Sequence, residues 1–311
     1  MTRELDEALV AGLVPGRDPE GHKGTSGRVL VVAGSLDYAG AALMAGSAAL
    51  RAGAGLVTLC LPVSLQPYLA GRVPELITLG LPESSPGHVA VSRAAGMIAE
   101  QPHDAALLGP GLHPDGGTRR LVERLLSTDG PPLTLDAGAL GALSGSPGWW
   151  SRSRREMVLT PHAGEFGRLH GEVGRDHAAR ADAARVAAVA WHQVVVLKGA
   201  RTCVAAPDGS VVVAPFVLPA LATAGTGDVL AGIIAALLAQ GASPFDGACL
   251  GVFLHGRAGE HVSERLGDAG LLATDLLVEI PRVRRHLVAR RQRQQAGSVG
   301  FRSRQTGSAS P

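Results

Sequence analysis

The segment "LATAGTGDVLAGIIAALLAQG" (residues 221–241) joins a loop of small residues to a dense apolar helix and places one acid, Asp228, at the junction. The start of a helix leaves about four backbone N–H groups unpaired and carries partial positive charge. Gly225, Thr226 and Gly227 are therefore predicted to bring bare amides against a phosphate group. The same dipole is expected to keep Asp228 ionised and weakly basic. An ordinary helix start with an acidic first turn is the alternative.

Around this segment, short Val- and Leu-rich runs alternate with Ala-rich helical patterns. The apolar runs lie at residues 28–34, 56–62, 104–111, 131–140, 156–165 and 193–201. Continuous runs indicate strands covered on both faces, as in parallel sheets, whose ligands gather beyond the carboxyl ends of the strands. Residues 202–215 predict a hairpin. Helices are predicted at 40–53, 226–240, 245–263 and 274–289. The pattern predicts a layered α/β protein.

Composition narrows the class of protein. The chain has 311 residues, of which 46% are hydrophobic and 3% aromatic, so we expect one large domain with a core of small aliphatic side chains. A formal charge of +2 gives little support for nucleic-acid binding. Three widely spaced cysteines predict neither disulfides nor a zinc site and favour a reducing cytoplasm. The longest apolar run, residues 229–239, is shorter than the ~20 residues of a membrane span, and the acidic N-terminus is not a signal peptide.

Three regions are predicted along the chain. Residues 1–21 form an N-terminal lead-in, residues 22–289 the catalytic domain, and residues 290–311 a basic, Ser/Gly/Gln-rich tail that is expected to be disordered. The tail has a single aromatic residue, Phe301, so we expect no nucleic-acid partner for its arginines. The phosphate-loop, dinucleotide-fold, zinc-protease and α/β-hydrolase signatures are all missing from the sequence.

Seven segments in order carry a resemblance to a known family. They are "HKGTSGRVLVVAGS" (22–35), "GAALMAGSAALRAGAGLV" (40–57), "LGPGL" (108–112), "LDAGAL" (135–140), "LTPHAGE" (159–165), "VVLKGART" (195–202) and "ATAGTGDVLAG" (222–232). Over residues 22 to about 280 the chain resembles the ADP-dependent NAD(P)H-hydrate dehydratases of the ribokinase-like superfamily. The resemblance implies a three-layer sandwich with a mostly parallel central sheet flanked by helices.

The implied activity is repair of nicotinamide cofactors. The S epimer of hydrated NADH or NADPH would return to the intact dinucleotide, while ADP, the co-substrate, becomes AMP and phosphate with Mg²⁺ as cofactor. Many family members are fused behind an epimerase domain. Here about 21 residues precede "HKG", so the chain resembles the free-standing dehydratase and the epimerase is expected to be a separate protein. The resemblance also implies a homo-oligomer, whereas the expected cytoplasmic location and the lack of a membrane partner follow from the cysteines and the short apolar runs.

Site residues follow from the same resemblance. Asp228 would take the proton of the substrate hydroxyl while the Gly225–Gly227 amides stabilise the transferring phosphoryl group. Glu165 resembles the acid of the kinase motif Asn-x-x-Glu, which places Mg²⁺ through water; in this chain His162 replaces the asparagine. Asp136 either lies at the site or caps the helix that follows it. The adenine-nucleotide site would be lined by Lys198, Gly199, Ala200, Arg201, Thr202 and Gly227, and the hydrated dinucleotide would contact Ala41, Gly111, His162 and Asp228.

Two other functions use the same loop. A kinase of the superfamily, acting on a vitamin precursor of the hydroxymethylpyrimidine or hydroxyethylthiazole type, would need the same anion site and the same aspartate. The "HKG" entry and "TPHAGE" favour the dehydratase. An adenine-nucleotide sensor without turnover would require a defective loop, and the loop is intact.

Overall fold

Ten strands of the computed structural model form one sheet. The model describes residues 2–174 and 176–305, with side chains described from residue 3 to residue 295 apart from 175. The strands are β1 (Thr2–Glu4), β2 (Arg28–Val32), β3 (Leu56–Pro62), β4 (Ile77–Leu81), β5 (Glu83–Ser85), β6 (His88–Val89), β7 (Ala105–Leu108), β8 (Leu133–Leu135), β9 (Met157–Leu159), β10 (Val194–Leu197), β11 (Cys203–Ala205) and β12 (Val211–Val213). The helices are α1 (Glu7–Leu13), α2 (Ala39–Arg51), α3 (Gln66–Leu69), α4 (Val91–Glu100), α5 (Gly116–Leu126), α6 (Ala137–Leu143), α7 (Ala163–Leu169), α8 (His177–Trp191), α9 (Thr226–Ala239), α10 (Pro244–Leu266) and α11 (Ala273–Gln305).

The sheet is mostly parallel, which confirms the predicted class. Its strand order is β1-β12-β11-β10-β9-β8-β7-β2-β3-β4, and β5 pairs with β6 in a separate small hairpin. Within the large sheet only the pairs β10–β11 and β11–β12 are antiparallel. The predicted hairpin therefore exists, because Val204 pairs with Val212 across it. Polar segments that follow the parallel strands consequently meet at one edge of the sheet.

Helices cover both faces of the sheet and give it three layers. In β2, Val29 and Val31 belong to the core on one face, together with side chains of α2, α9, α10 and α11. Leu30 and Val32 belong to the core on the other face, with side chains of α4, α5, α6 and α8. This alternation is the two-residue period of a strand. It explains why the strands read as continuous apolar runs in the sequence.

The helix predicted at residues 226–240 is the most deeply placed one. All residues of α9 except Gly227 and Asp228 are buried. Gly232 allows α9 to lie directly on α2, because a Cβ atom there would contact the carbonyl of Ala45 and lie 3.0 Å from the Cβ of Ala48. The small residues of the two helices therefore set how close the start of α9 comes to the start of α2.

Regular elements extend beyond the predicted domain boundaries at both ends. The lead-in is part of the domain, since β1 pairs in parallel with β12 and α1 buries Val10 and Ala11. The predicted disordered tail is helical as far as Gln305, because Arg, Gln and Ala favour helix and continue α11. Arg290 forms an ion pair with Glu7 at 3.3 Å. The side chains of Phe301 and its neighbours, and residues 306–311 altogether, lie outside the described residues.

The three cysteines do not pair with one another. Cys60, Cys203 and Cys249 are all buried thiols. Burial raises the pKa of Cys60 and of Cys249 to about 12, so both stay protonated near neutral pH. Among the described residues, no helix is both long and apolar enough to cross a bilayer.

The contact between α2 and α9 gives a first prediction. Gly232→Ala should destabilise the protein by about 2 kcal/mol or more, because the added methyl group meets backbone that cannot move away. Gly96→Ala in α4 is the matched control: its Cβ would enter open space, so it should be neutral or stabilise by up to ~1 kcal/mol. Urea unfolding measures both variants. Equal stability of the two would contradict the close packing at Gly232.

Candidate active site

The start of α9 presents unpaired backbone donors. Gly225 precedes the helix with a φ of 90°, and a Cβ there would lie 2.5 Å from Sδ of Met44, so only glycine fits. The hydroxyl of Thr226 donates to the carbonyls of Leu221 (2.8 Å) and Thr223 (2.9 Å), which fixes the turn. In the described chain no acceptor pairs with the N–H groups of Gly227 and Asp228. They form an anion site at the positive end of the helix.

A buried cluster of charges faces this helix start. Nζ of Lys198, the residue after β10, lies 2.6 Å from Oδ1 of Asp136 and 3.8 Å from Oε2 of Glu165. The hydroxyl of Thr160 also donates to Oδ1 of Asp136, at 2.8 Å. The side chains of Asp136 and Glu165 are 2% and 7% exposed, so water does little to screen the cluster. Burial alone would lower the pKa of Lys198, but the two carboxylates outweigh it and raise the pKa, which keeps the ammonium charged.

Asp228 is not the weak base expected from the helix dipole. Burial, followed by the charges of Asp136 and Glu165, raises the pKa of Asp228 to about 7, although Lys198 acts in the opposite direction. Desolvation is therefore the largest influence on the pKa of Asp228, and the two carboxylates reinforce it. The consequence favours catalysis, because a general base is most effective when its pKa lies near the working pH.

His162 and Glu165 form a capping box at the start of α7. Nδ1 of His162 accepts the N–H groups of Gly164 (3.0 Å) and Glu165 (3.3 Å), and Oε2 of Glu165 accepts the N–H of His162 (2.8 Å). The imidazole is 56% exposed, and its other nitrogen, Nε2, lies 3.6 Å from Oε1 of Glu165. The cap fixes the carboxylate that approaches Lys198.

A largely apolar cavity of about 310 Å³ adjoins the cluster. Gly199, Ala200 and Thr202 line it on one side, as do Phe216 and His255. Apolar walls with a few polar groups suit a flat heterocyclic base. Arg201 does not line the cavity: its guanidinium donates to Glu4 at 2.8 Å, so β1 holds it elsewhere.

Ala41 and Gly111 lie next to each other at the same edge of the sheet. A Cβ at Gly111 would lie 3.0 Å from the Cβ of Ala41 and 2.6 Å from the carbonyl of Tyr38, and the φ of Gly111 is 68°. Met44, one turn along α2 from Ala41, contacts the position of Gly225. The residues predicted for the dinucleotide are therefore brought towards the start of α9.

Two residues of the site were underrated or missed from the sequence. Asp136 does not cap α6 with its side chain, so the capping alternative is wrong; it pairs with Lys198 instead. Its place directly after a strand was the available signal. His255 donates from Nε2 to the carbonyl of Thr226 at 2.9 Å, and burial lowers its pKa to about 4, which keeps it neutral. It lies in the middle of α10, where no local pattern marks it.

Comparison with known proteins identifies the family. A family model described as NAD(P)H-hydrate dehydratase matches residues 29–282. The ADP-dependent (S)-NAD(P)H-hydrate dehydratase of Xanthomonas campestris is 41% identical over 85% of this chain and 90% of its own length. The chain belongs to the NAD(P)H-hydrate dehydratase family.

Solved structures confirm the ribokinase-like fold. An ADP/ATP-dependent NAD(P)H-hydrate dehydratase from Bacillus subtilis, co-crystallized with ATP/Mg²⁺, is 33% identical and superposes with a TM-score of 0.80, covering 92% of this chain and 98% of that one. A ribokinase-like superfamily protein from Enterococcus faecalis, 26% identical, superposes with a TM-score of 0.77 and covers 92% and 96%.

Some relatives are much longer than the matched region. The bifunctional NAD(P)H-hydrate repair enzyme of Moorella thermoacetica is 43% identical over 92% of this chain but only 54% of its own length. The chain thus spans about half the length of such curated relatives.

The raised pKa of Asp228 predicts a pH-dependent cost in stability. A carboxyl whose pKa is higher in the folded than in the unfolded protein contributes stability below its unfolded pKa of 3.8, and this is lost as the pH rises to about 7. Asp228→Asn removes the titrating group. We expect its thermal midpoint, relative to wild type, to increase between pH 5 and pH 8. A constant difference across this range would show that Asp228 ionises normally.

Proposed function

We propose that this protein is an ADP-dependent dehydratase that converts the S epimer of hydrated NADH or NADPH to NADH or NADPH, releasing AMP and phosphate. The observation that carries the proposal is the pairing of two free N–H donors, of Gly227 and Asp228, with an aspartate of raised pKa in one helix turn. The two N–H donors are suited to a phosphoryl group, and the aspartate is suited to accept a hydroxyl proton. Its membership of the dehydratase family supports the choice of substrate.

The chemistry divides between two steps. In the first, the Asp228 carboxylate takes the proton of the ring hydroxyl, whose oxygen attacks the β-phosphorus of ADP, and the bond to AMP breaks. The Gly227 and Asp228 amides stabilise the charge on the transferring group. In the second, the lone pair of the ring nitrogen expels the phosphate from carbon 6. Loss of a proton from carbon 5 then restores the ring double bond.

The two substrates are proposed to meet at the start of α9. The base of ADP would occupy the apolar cavity beside Gly199, Ala200 and Thr202, and its phosphates would extend past Gly227 towards Lys198. For Arg201, whose side chain is held by Glu4, only a backbone contribution is proposed. The hydrated dinucleotide would contact Ala41, Gly111 and His162, with its hydroxyl near Asp228.

The residues present fit a hydrated Mg²⁺. The carboxylates of Asp136 and Glu165 both approach the single Nζ of Lys198, so their oxygens face one small volume. Among the described residues no group of three or more His, Cys, Asp or Glu side chains could hold a metal. Mg²⁺ keeps several waters and needs only one or two carboxylates, which agrees with indirect placement by Glu165. A bound Mg²⁺ would neutralise charge on the nucleotide phosphates.

The partners of the protein and its cellular location are proposed from its relatives and from the family resemblance. An epimerase is proposed as the source of the S epimer, since relatives are named bifunctional NAD(P)H-hydrate repair enzymes. A cytoplasmic homo-oligomer is proposed from the family resemblance, and the buried free thiols agree with a reducing compartment.

Turnover is tested directly. With ADP and Mg²⁺, the S epimer of hydrated NADH should regain the absorbance of the reduced nicotinamide, with AMP and phosphate released in equal amounts. ATP in place of ADP tests nucleotide preference. A stable phosphorylated product without NADH would support the kinase instead, and binding without turnover would support the sensor.

Asp228 is tested by its pH profile. Because the base must be ionised, kcat/KM should fall about tenfold per pH unit below about 7. Asp228→Asn should lower turnover by ~100-fold or more and abolish this acid limb, while ADP binding measured by calorimetry is largely retained. An unchanged limb in the variant would assign the titration to another group.

Lys198 is tested by exchanging it for an uncharged chain of similar length. Lys198→Met removes a cation that lowers the pKa of Asp228, so the acid limb should move to higher pH. It also leaves Asp136 and Glu165 without their ammonium partner, so ADP should bind at least ~10-fold more weakly. Lys23→Met is the control, because Lys23 is exposed. An unmoved limb and unchanged ADP affinity would remove Lys198 from the site.

A further inference from the structure

A second cavity, of about 590 Å³, lies where α2 ends and α11 passes the segment that follows α1. We call it the arginine cavity. Its basic side chains are Arg17, Arg51, Arg284, Arg285 and Arg291, and no Asp or Glu lines it. Arg51 is ten residues along α2 from Ala41, or about 15 Å at the rise of a helix, so the cavity is remote from the candidate active site.

The arginines of this cavity lack acidic partners. Within the described part of the chain, none of the five forms an ion pair with Asp or Glu. Arg284 donates instead to Oε1 of Gln240 at 2.8 Å and to the carbonyl of Pro15 at 3.3 Å. A neighbouring cavity between α10 and α11, which shares Arg285, differs because it contains Glu7 and Glu279; these pair with Arg257 and Arg282. Of these two cavities, only the arginine cavity has no carboxylate to compensate its positive charge.

The arginines of the cavity lie close enough for their positive charges to repel one another. Burial lowers the pKa of Arg284, and the charges of Arg17 and Arg291 lower it further. Gly53 has a φ of 109°, and a Cβ there would contact the guanidinium of Arg284. The backbone after α2 therefore leaves room for this arginine. Arg284 donates to the carbonyl of Ala52 at the end of α2, and Arg51 lies in the last turn of the same helix, whose negative end favours both charges. Arg17 and Arg285 are exposed, and among the described residues neither has an ion pair or a hydrogen bond of its side chain.

We propose that the arginine cavity is a second binding site, for a small ligand that carries at least two phosphate groups next to an apolar part. Guanidinium groups bind phosphate oxygens in pairs, and several converging arginines suit a polyphosphate. Leu50 and Val288 supply an apolar wall. The volume lies within the ~300–1,000 Å³ of small-molecule sites. The lining contains no aromatic ring for base stacking, which favours a small ligand over single-stranded nucleic acid.

The test is calorimetric titration with inorganic pyrophosphate at about 0.15 M salt. The double variant Arg51→Ser/Arg285→Ser should bind pyrophosphate at least ~10-fold more weakly than wild type at this site. Arg72→Ser/Arg93→Ser is the matched control, because both arginines are exposed outside the cavity, and its binding should be unchanged. Without pyrophosphate, the thermal midpoint of the cavity variant should equal or exceed that of wild type, since like-charge repulsion is relieved.

Two further measurements separate this site from the catalytic one. Lys198→Met should retain the pyrophosphate binding that depends on Arg51 and Arg285, and the cavity variant should retain dehydratase turnover. Three results would overturn the proposal: no pyrophosphate binding by wild type, binding that survives in the cavity variant, or binding that is lost in Lys198→Met. Tighter, Arg51-dependent binding of a single-stranded oligonucleotide than of pyrophosphate would also overturn it, in favour of nucleic acid.

Discussion

The burial of α9 is the constraint on which the site depends. Twelve of its 14 residues are buried, so the helix presents almost no polar group to solvent except at its first turn. Its start must therefore be satisfied locally or by a ligand. Thr226 and His255 fix the turn through backbone carbonyls, and the N–H groups of Gly227 and Asp228 remain available. Close packing on α2 through Gly232 holds this turn at the edge of the sheet.

The parallel sheet provides the other half of the site. β8 ends beside Asp136, β9 beside Thr160 and β10 beside Lys198, and these strands are consecutive in the sheet. Neighbouring parallel strands bring the residues that follow them to one edge, which places an ammonium between two carboxylates. Burial raises the pKa of Asp228, and the charges of Asp136 and Glu165 raise it further against the opposing effect of Lys198. The raised pKa of Asp228 costs stability near neutral pH, a cost that fits the base proposed for this residue.

The failed expectations share one cause. The helix dipole suggested an ionised Asp228, because the sequence shows the helix that carries it but not the carboxylates of Asp136 and Glu165 beside it. The resemblance begins at residue 22, which left residues 1–21 as a lead-in, and the basic, Ser/Gly/Gln-rich composition suggested a disordered tail. In the structure Arg290 of α11 pairs with Glu7 of α1, a contact between segments that lie 283 residues apart. Local composition contains no information about such a partner.

The sequence by itself determined the class of fold, the family, the buried parallel strands β2, β3 and β7–β10, the hairpin before α9, and the helices α2, α9, α10 and the first part of α11. These depend on two-residue and 3.6-residue periodicity and on short motifs, which are local properties. It also marked the loop from Gly225 to Asp228 and the segment that begins at Lys198. Only the tertiary structure decided that Asp136 binds Lys198, that His255 supports Thr226 and that Arg201 is held away by Glu4. Each of these is a contact between residues distant in the chain, and its energy depends on burial and on neighbouring charges that exist only after folding.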